Sequence, residues 1–417
     1  YEKLETASPV KAIILDEKRV DSIQKGNSGE IVLSETPFYA ESGGQAGDNG
    51  ILVSQTGTAK VENTIKVAGR LIVHSVKVTD GVIKEGQEVA AKVNRDVRFS
   101  TMRNHTATHL LQAALRRILG EHVKQSGSLV EGRRLRFDFS HYAPMTDDEI
   151  REVEEIVNEK IREDIELKTA EMDLEKALDG GATALFGEKY GSRVRVVQMS
   201  GFSRELCGGT HVSRTGEIGL FKITQETGVA AGIRRIEAIT GAGAFAYVTK
   251  LEDRLNEIAQ LVKGRPEESA KRVQKLVEKT KELEKEIKKL KSQKARGSDG
   301  AESKEQVIDG IKVVTTRFDE LDNSSLRGYV DEMKQKIKSG VVLAGSVNEG
   351  KAALIAGVTK DITGKVKAGD IIREAASYVG GGGGGRPDMA QAGGPNVDGL
   401  DDALKSVYAF VEKALKG

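Results

Sequence analysis

Tryptophan is absent from the 417 residues, cysteine occurs once, proline six times, and aromatics make up only 4%. A single cysteine excludes an internal disulfide framework and fits a reducing compartment. No run approaches the roughly 18 consecutive apolar residues that a spanning helix needs. With 30% of residues charged, the composition is not that of a membrane protein. Neither sign of charge dominates: 64 Lys+Arg stand against 63 Asp+Glu, so any grip on a polyanion must come from local patches. The chain opens on Tyr1 with no methionine and no signal-like segment, and we expect a piece of a longer, cytoplasmic protein. Its length predicts two to four domains.

The pattern along the chain is α+β and multidomain. Residues 1–95 read as a small β-barrel: Val10–Leu15, Glu30–Leu33, Gly50–Ser54, Lys60–Val67 and Leu71–Val78 are Val/Ile-rich runs broken by Gly, Asn and Asp. Residues 96–248 read as a mixed α+β domain. Its first helix, from Arg98 to about Leu119, carries Ala107, Leu110, Leu111, Ala114, Leu115 and Ile118 as one apolar stripe. A second helix follows over 146–164, with Thr146 and Glu149 spaced as a capping box, and strands are expected at Leu135–Phe139, Arg193–Met199, Ile218–Thr224 and Arg234–Ile239.

Residues 249–305 read as a helical or coiled-coil connector broken at Pro266. Val273, Leu276, Thr280, Leu283, Ile287 and Leu290 form a heptad seam too short to be stable alone. Thirteen Lys+Arg against six Glu between Lys263 and Arg296 make it basic, either a solvated face or a polyanion contact. A polar linker is expected over Ala295–Lys304. Residues 306–417 read as a compact α/β domain with strands at Ile311–Thr315, Val341–Ala344 and Ala352–Val358. Its helices are expected at Ser325–Lys338, Ala368–Val379 and Leu400–Leu415. It also carries six consecutive glycines, Gly380–Gly385.

Chemistry concentrates in two short motifs. His105 and His109 stand four apart in the first helix, with rings about 40° from one another and Gln112 and Arg116 on the same side, across from the apolar stripe. That spacing lets both imidazoles reach one ion. The sole cysteine precedes the second pair, Cys207-Gly208-Gly209-Thr210-His211, where two glycines favour a tight loop over a helix. Imidazoles with one thiolate are borderline-soft donors that suit zinc. Four protein ligands would close a tetrahedron, whereas catalysis usually keeps a position open, and the spacing does not decide between them. The polar residues Gln125, Ser126 and Ser128 after the helix argue against a purely structural staple.

Six segments together resemble alanyl-tRNA synthetase. They are Thr36-Pro37-Phe38-Tyr39-Ala40-Glu41-Ser42-Gly43-Gly44-Gln45 with Gly47 and Asp48, His105–Leu111, Val123–Val130, Arg136–Phe139, Cys207–Val212 and Gly232–Ala238. The resemblance spans essentially the whole chain and corresponds to the family's second half: editing domain, connecting helices and C-terminal domain. The two histidine-containing pairs also occur in threonyl-tRNA synthetase editing domains, so the Thr36–Gln45 segment and the glycine-rich end carry the distinction. The resemblance implies a zinc-dependent deacylase that hydrolyses Ser-tRNA(Ala) and Gly-tRNA(Ala). It implies zinc held by His105, His109, Cys207 and His211, with Cys207 and Gln125 as catalytic candidates. It places Arg234 and Arg235 near the acceptor end and Thr36, Ser42 and Gln45 as candidates for recognising serine. The C-terminal domain is implied to bind tRNA(Ala) and to mediate a homodimer. No residues correspond to the aminoacylation core, which alone would use ATP. The alternatives are a free-standing trans-editing protein with a long extension and a non-catalytic tRNA-binding or dimerisation module with structural zinc. A phosphoesterase is disfavoured because no Asp-His pair occurs in the sequence.

Overall fold

Buried and exposed residues alternate along Gly57–Val67 and Glu88–Val93, the period-2 signature of strands with one face on a core. In the computed structural model six strands, Glu5–Leu15, Ser28–Leu33, Leu71–Lys84, Gly57–Val67, Gly50–Val53 and Glu88–Val93, pair antiparallel in that spatial order. The last pairs back onto the first, so the sheet closes into a barrel and leaves few free edges. Ile13, Ile31, Leu52, Val61, Val76 and Ile83 fill its interior.

The structure describes residues 3–184, 190–296 and 302–416, which divide into two compact units at Glu257/Ile258. The barrel and the histidine helix therefore share one unit. The helix, Arg95–Leu119, starts where the Asn94 side chain accepts a hydrogen bond from the Val97 amide. Leu110, Leu111 and Leu115 are fully buried, each contributing about 1.5–3 kcal/mol. They pack on an antiparallel four-stranded sheet ordered Phe221–Ala230, Ile233–Thr240, Leu135–Ser140, Gln125–Val130. A second helix, Asp147–Arg162, buries Val153, Val157 and Ile161 against the same core, and its Thr146–Glu149 capping box forms as the sequence implies. A separate three-stranded sheet, Leu167–Asp173, Arg193–Met199 and Ser203–Leu206, carries the cysteine loop at its end.

The helix Gly241–Leu261 begins in the first unit and ends in the second, where Pro266 opens a short 3-10 turn before the helix Ser269–Arg296. The heptad seam of the latter stays open: Val273, Leu276, Leu283, Ile287 and Leu290 are 41–57% exposed, so this chain alone does not bury a coiled-coil interface. Of the expected linker at 295–304, residues 297–301 lie outside the described residues; the rest is not a linker, since Ala295 and Arg296 end the helix and 302–304 open a strand. The C-terminal sheet has six strands, ordered Glu302–Ile308, Ile311–Asp319, Gly340–Asn348, Lys351–Val358, Met389–Gly394, Gly382–Arg386. Only Ile311–Asp319 and Gly340–Asn348 run parallel, joined by the helix Asn323–Ile337. That helix packs on one face, and Ala368–Tyr378 with Leu400–Lys416 pack on the other. Four of the six consecutive glycines form a paired edge strand: Gly382–Gly385 lie in register with Gly393–Ala390. Among the described residues no helix is long and apolar enough to cross a membrane.

Candidate metal centre

Local chemistry brings the two motifs together. The segment Thr36–Asp48 leaves the barrel and is pinned from three sides. Asp48 accepts from the Tyr39 amide at 2.6 Å and forms a buried ion pair with Arg98, which also donates to the Pro37 carbonyl at 2.9 Å. Ala46 and Gly44 hydrogen-bond Val130 through their backbones, extending the four-stranded sheet. Gly44 has φ +79°, and a Cβ there would lie 2.6 Å from the Ser128 carbonyl oxygen, so the turn requires glycine. The result delivers Gln45, fully buried, to the histidine helix.

The ligand atoms of His105, His109, Cys207 and His211 all lie within 4.8 Å of one another. Cys207 Sγ is 3.4 Å from His105 Nε2 and 3.2 Å from His211 Nε2. Metal–nitrogen and metal–sulfur bonds of about 2.0 and 2.3 Å predict tetrahedral S–N edges of about 3.5 Å, close to those separations. Each imidazole is held from behind at Nδ1. Gln45 Oε1 is 2.7 Å from that atom of His105, Glu205 Oε2 is 2.6 Å from that of His109, and Thr106 Oγ1 is 3.2 Å from that of His211. Such contacts fix the tautomer that leaves Nε2 free for a metal. His109 Nε2 is buried with no hydrogen-bond partner among the described residues, which an ion would remedy.

The loop that brings the thiol in is equally constrained. Gln45 accepts from the Thr210 amide at 2.9 Å and donates to its hydroxyl at 2.8 Å. Arg195 donates to the Cys207 and Gly209 carbonyls at 3.0 and 2.6 Å. A Cβ on Gly209 would sit 2.1 Å from His105 Cε1, so the loop can pass the ring only as glycine.

Charge balance favours a thiolate. Burial pushes the Cys207 thiol up, but His105, His211 and His109 outweigh it and hold the pKa well below the usual thiol value. Burial opposes charge on His109, yet Glu205 and Cys207 raise it well above an ordinary imidazole. His211 is lowered to about 3, first by burial and then by the neighbouring imidazoles against the pull of Cys207. Three imidazoles and a thiolate in one buried spot form a donor set for a borderline-soft divalent metal.

The other sequence candidates are dispersed. Thr36 Oγ1 is 2.8 Å from the buried His74 Nε2, inside the barrel side of the loop. Ser42 is exposed at the loop tip. Gln125 opens the edge strand opposite Phe139 and is partly buried. Arg234 and Arg235 point to opposite faces of their strand, one in a bidentate pair with Glu226 and the other with Asp138. Glu205 escaped sequence reading. Its signal is an acidic residue two before the sole cysteine, and the strand Ser203–Leu206 turns Ser203 and Glu205 to one face, where they hydrogen-bond at 2.8 Å.

A family described as tRNA synthetases class II (A) matches residues 1–97. Threonyl and Alanyl tRNA synthetase second additional domain matches 194–237, and the DHHA1 domain matches 310–413. Over 416 residues, all of this chain, the sequence is 48% identical to the alanine–tRNA ligase of Shewanella loihica. The chain belongs to the alanyl-tRNA synthetase family. It spans about half the length of that relative, 48%, and its domain content is that of the C-terminal half of an alanyl-tRNA synthetase. The solved C-Ala domain of the Aquifex aeolicus alanyl-tRNA synthetase is 34% identical over 26% of this chain and 98% of that one, with a TM-score of 0.25.

Proposed function

We propose that this chain is a proofreading half-enzyme that hydrolyses Ser-tRNA(Ala) and Gly-tRNA(Ala), with zinc held by His105, His109, Cys207 and His211. The observation that carries the reading is the convergence of those four donors, each imidazole oriented from behind. The need is physical: a pocket shaped for alanine rejects glycine or serine by only about 1–3 kcal/mol, so accuracy requires a second, hydrolytic sieve.

Bound in this shell, zinc supplies Lewis acidity toward an ester carbonyl or a water molecule. The chain's own residues supply the rest. Glu205 keeps His109 in the ligating tautomer, and the buried thiolate of Cys207 adds negative charge to the shell. Gln125 orients the aminoacyl group, Ser42 and Thr36 belong to the serine-recognising side, and Arg234 and Arg235 lie near the acceptor end. Gln45, whose side chain is occupied by His105 and Thr210, serves recognition by positioning. The functional parts are 1–95, 96–248, 249–305 and 306–417, the last gripping tRNA(Ala) and pairing two copies, in a cytoplasmic setting. The family match over 310–413 and the basic helix support that assignment.

The test mixes purified protein with Ser-tRNA(Ala) and follows loss of the serine ester, with metal content measured alongside. Cys207→Ala and His105→Ala should lose zinc and at least about a hundredfold in rate. Ser-tRNA(Thr) in the same assay separates alanyl from threonyl specificity. A wild-type rate no higher than that of Cys207→Ala would leave a zinc-stapled RNA-binding module instead.

A further inference from the structure

His74 has no part in the metal shell. It lies on the strand Leu71–Lys84 opposite Ile31, fully buried in the barrel, with the ring of Phe38 edge-on at 5.3 Å. Burial lowers its pKa from the ordinary 6.5, against the pull of the Ile31 carbonyl, so the ring is neutral at physiological pH. A neutral imidazole carries one N–H and one lone pair, and burying both is tolerated only where each is hydrogen-bonded.

The two ring contacts leave one assignment of the hydrogens. Nδ1 is 2.9 Å from the Ile31 carbonyl oxygen, which can only accept, so Nδ1 carries the hydrogen. Nε2 is then the bare nitrogen, and the Thr36 hydroxyl, 2.8 Å away, donates to it. The same hydroxyl oxygen accepts the Phe38 amide at 3.2 Å. A hydroxyl has one hydrogen and two lone pairs. Thr36 therefore commits its hydrogen and one lone pair to the protein and keeps a single lone pair. Thr36 is half-buried and opens the segment that carries Gln45 to His105, so that lone pair is what its hydroxyl can offer a ligand.

We propose that His74 is a positioning residue that makes Thr36 a hydrogen-bond acceptor, and never a donor, for the hydroxyl of a misacylated serine. The inference rests on the deacylase reading above and deepens it. A serine side chain brings a hydroxyl hydrogen that such an acceptor rewards; alanine and glycine bring none. A freely rotating Thr36 hydroxyl would point its own hydrogen at the serine oxygen part of the time. His74 removes that freedom before the ester arrives, which is pre-organisation from inside the barrel. An acceptor cannot stabilise a developing oxyanion, so Thr36 selects the substrate and takes no part in the chemistry.

The probes are two esters of tRNA(Ala) offered to the full chain loaded with zinc: the seryl ester and the 2-aminobutyryl ester, in which a methyl replaces the serine hydroxyl. The readout is the ratio of their kcat/KM values. Wild-type protein should favour the seryl ester about tenfold, the value of one hydrogen bond. Thr36→Val and His74→Leu should each bring the ratio close to one. His74→Gln, whose Oε1 can accept from Thr36, should restore most of it. A His74 that serves only the barrel fold would slow both esters alike and leave the ratio untouched. Nitrogen-15 spectra of the wild-type imidazoles should show His74 with its hydrogen on Nδ1.

Equal hydrolysis of the two esters by wild-type protein would overturn the proposal, as would a His74 hydrogen found on Nε2, and neither measurement needs a variant to fold. So would a ratio that survives His74→Leu, or one lost equally in His74→Leu and His74→Gln. Each of these results leaves deacylation standing and refutes the role of His74 alone. Wild-type protein that hydrolyses neither ester would refute the deacylase reading, and this role with it.

Discussion

Two adjacent glycines should behave oppositely when each is changed to alanine. At Gly209 the new Cβ would lie 2.1 Å from His105 Cε1, 2.5 Å from its Nδ1 and 2.7 Å from Gln45 Oε1. Ordinary contact begins near 3.4 Å, so ring and loop must separate by roughly 1 Å, several times the ±0.2 Å tolerance of a metal–ligand bond. The ring cannot retreat freely, because Gln45 holds it at 2.7 Å and is itself fixed by Thr210. The expected loss in zinc affinity is therefore about a hundredfold or more, the upper end for disrupting the surroundings of a ligand. At Gly208 nothing lies within 4 Å of the added carbon, and Gly208→Ala should bind zinc like the parent. Competition with a chromophoric chelator measures both, and melting in EDTA checks that each variant folds. Equal zinc affinity for Gly209→Ala and Gly208→Ala would refute the claim that the loop's fit against His105 organises the centre.

Glu205→Gln should weaken zinc binding about 10- to 100-fold, because the amide can no longer hold His109 as a carboxylate does; chelator competition would show it, and unchanged affinity would mean that burial alone orients the ring. Asp322 caps the helix Asn323–Ile337, accepting from the Ser324 and Ser325 amides at 2.9 and 3.0 Å. Burial opposes its charge, but hydrogen bonds from Ser324 and Ser325 outweigh that and lower it to about 2 from an ordinary 3.8. A depressed carboxyl stabilises the fold fully above the unfolded value and loses that contribution as pH falls toward about 2. Urea melts should therefore show Asp322→Ala less stable by about 1 kcal/mol at pH 6, with the gap closing between pH 4 and pH 2. A gap independent of pH would show that the cap does not act through its charge.

Much of this molecule could be read locally. The His105–His109 spacing, the Thr146–Glu149 capping box and the break at Pro266 depend on residues a few positions apart, where helix period and backbone sterics decide the outcome. The histidine helix was expected to present one apolar stripe with the imidazoles opposite, yet Thr101, Asn104, Thr106 and Thr108 are buried as well. The polar face is covered by the cysteine loop and by the segment that brings Gln45, and no periodicity within one helix can announce a cover that arrives from elsewhere. The same holds for Gly382–Gly385: a string of residues without side chains carries no period, so its role as an edge strand was decided by its partner, Met389–Gly394.

Sequence alone determined which atoms could bind a metal and that they come in two pairs, since donor type and four-residue spacing are covalent facts. Tertiary structure decided that the pairs meet and that Gln45 and Glu205 stand behind them. Those are contacts between residues 60 to 165 positions apart, made when folding buries distant polar groups together and each must find a partner.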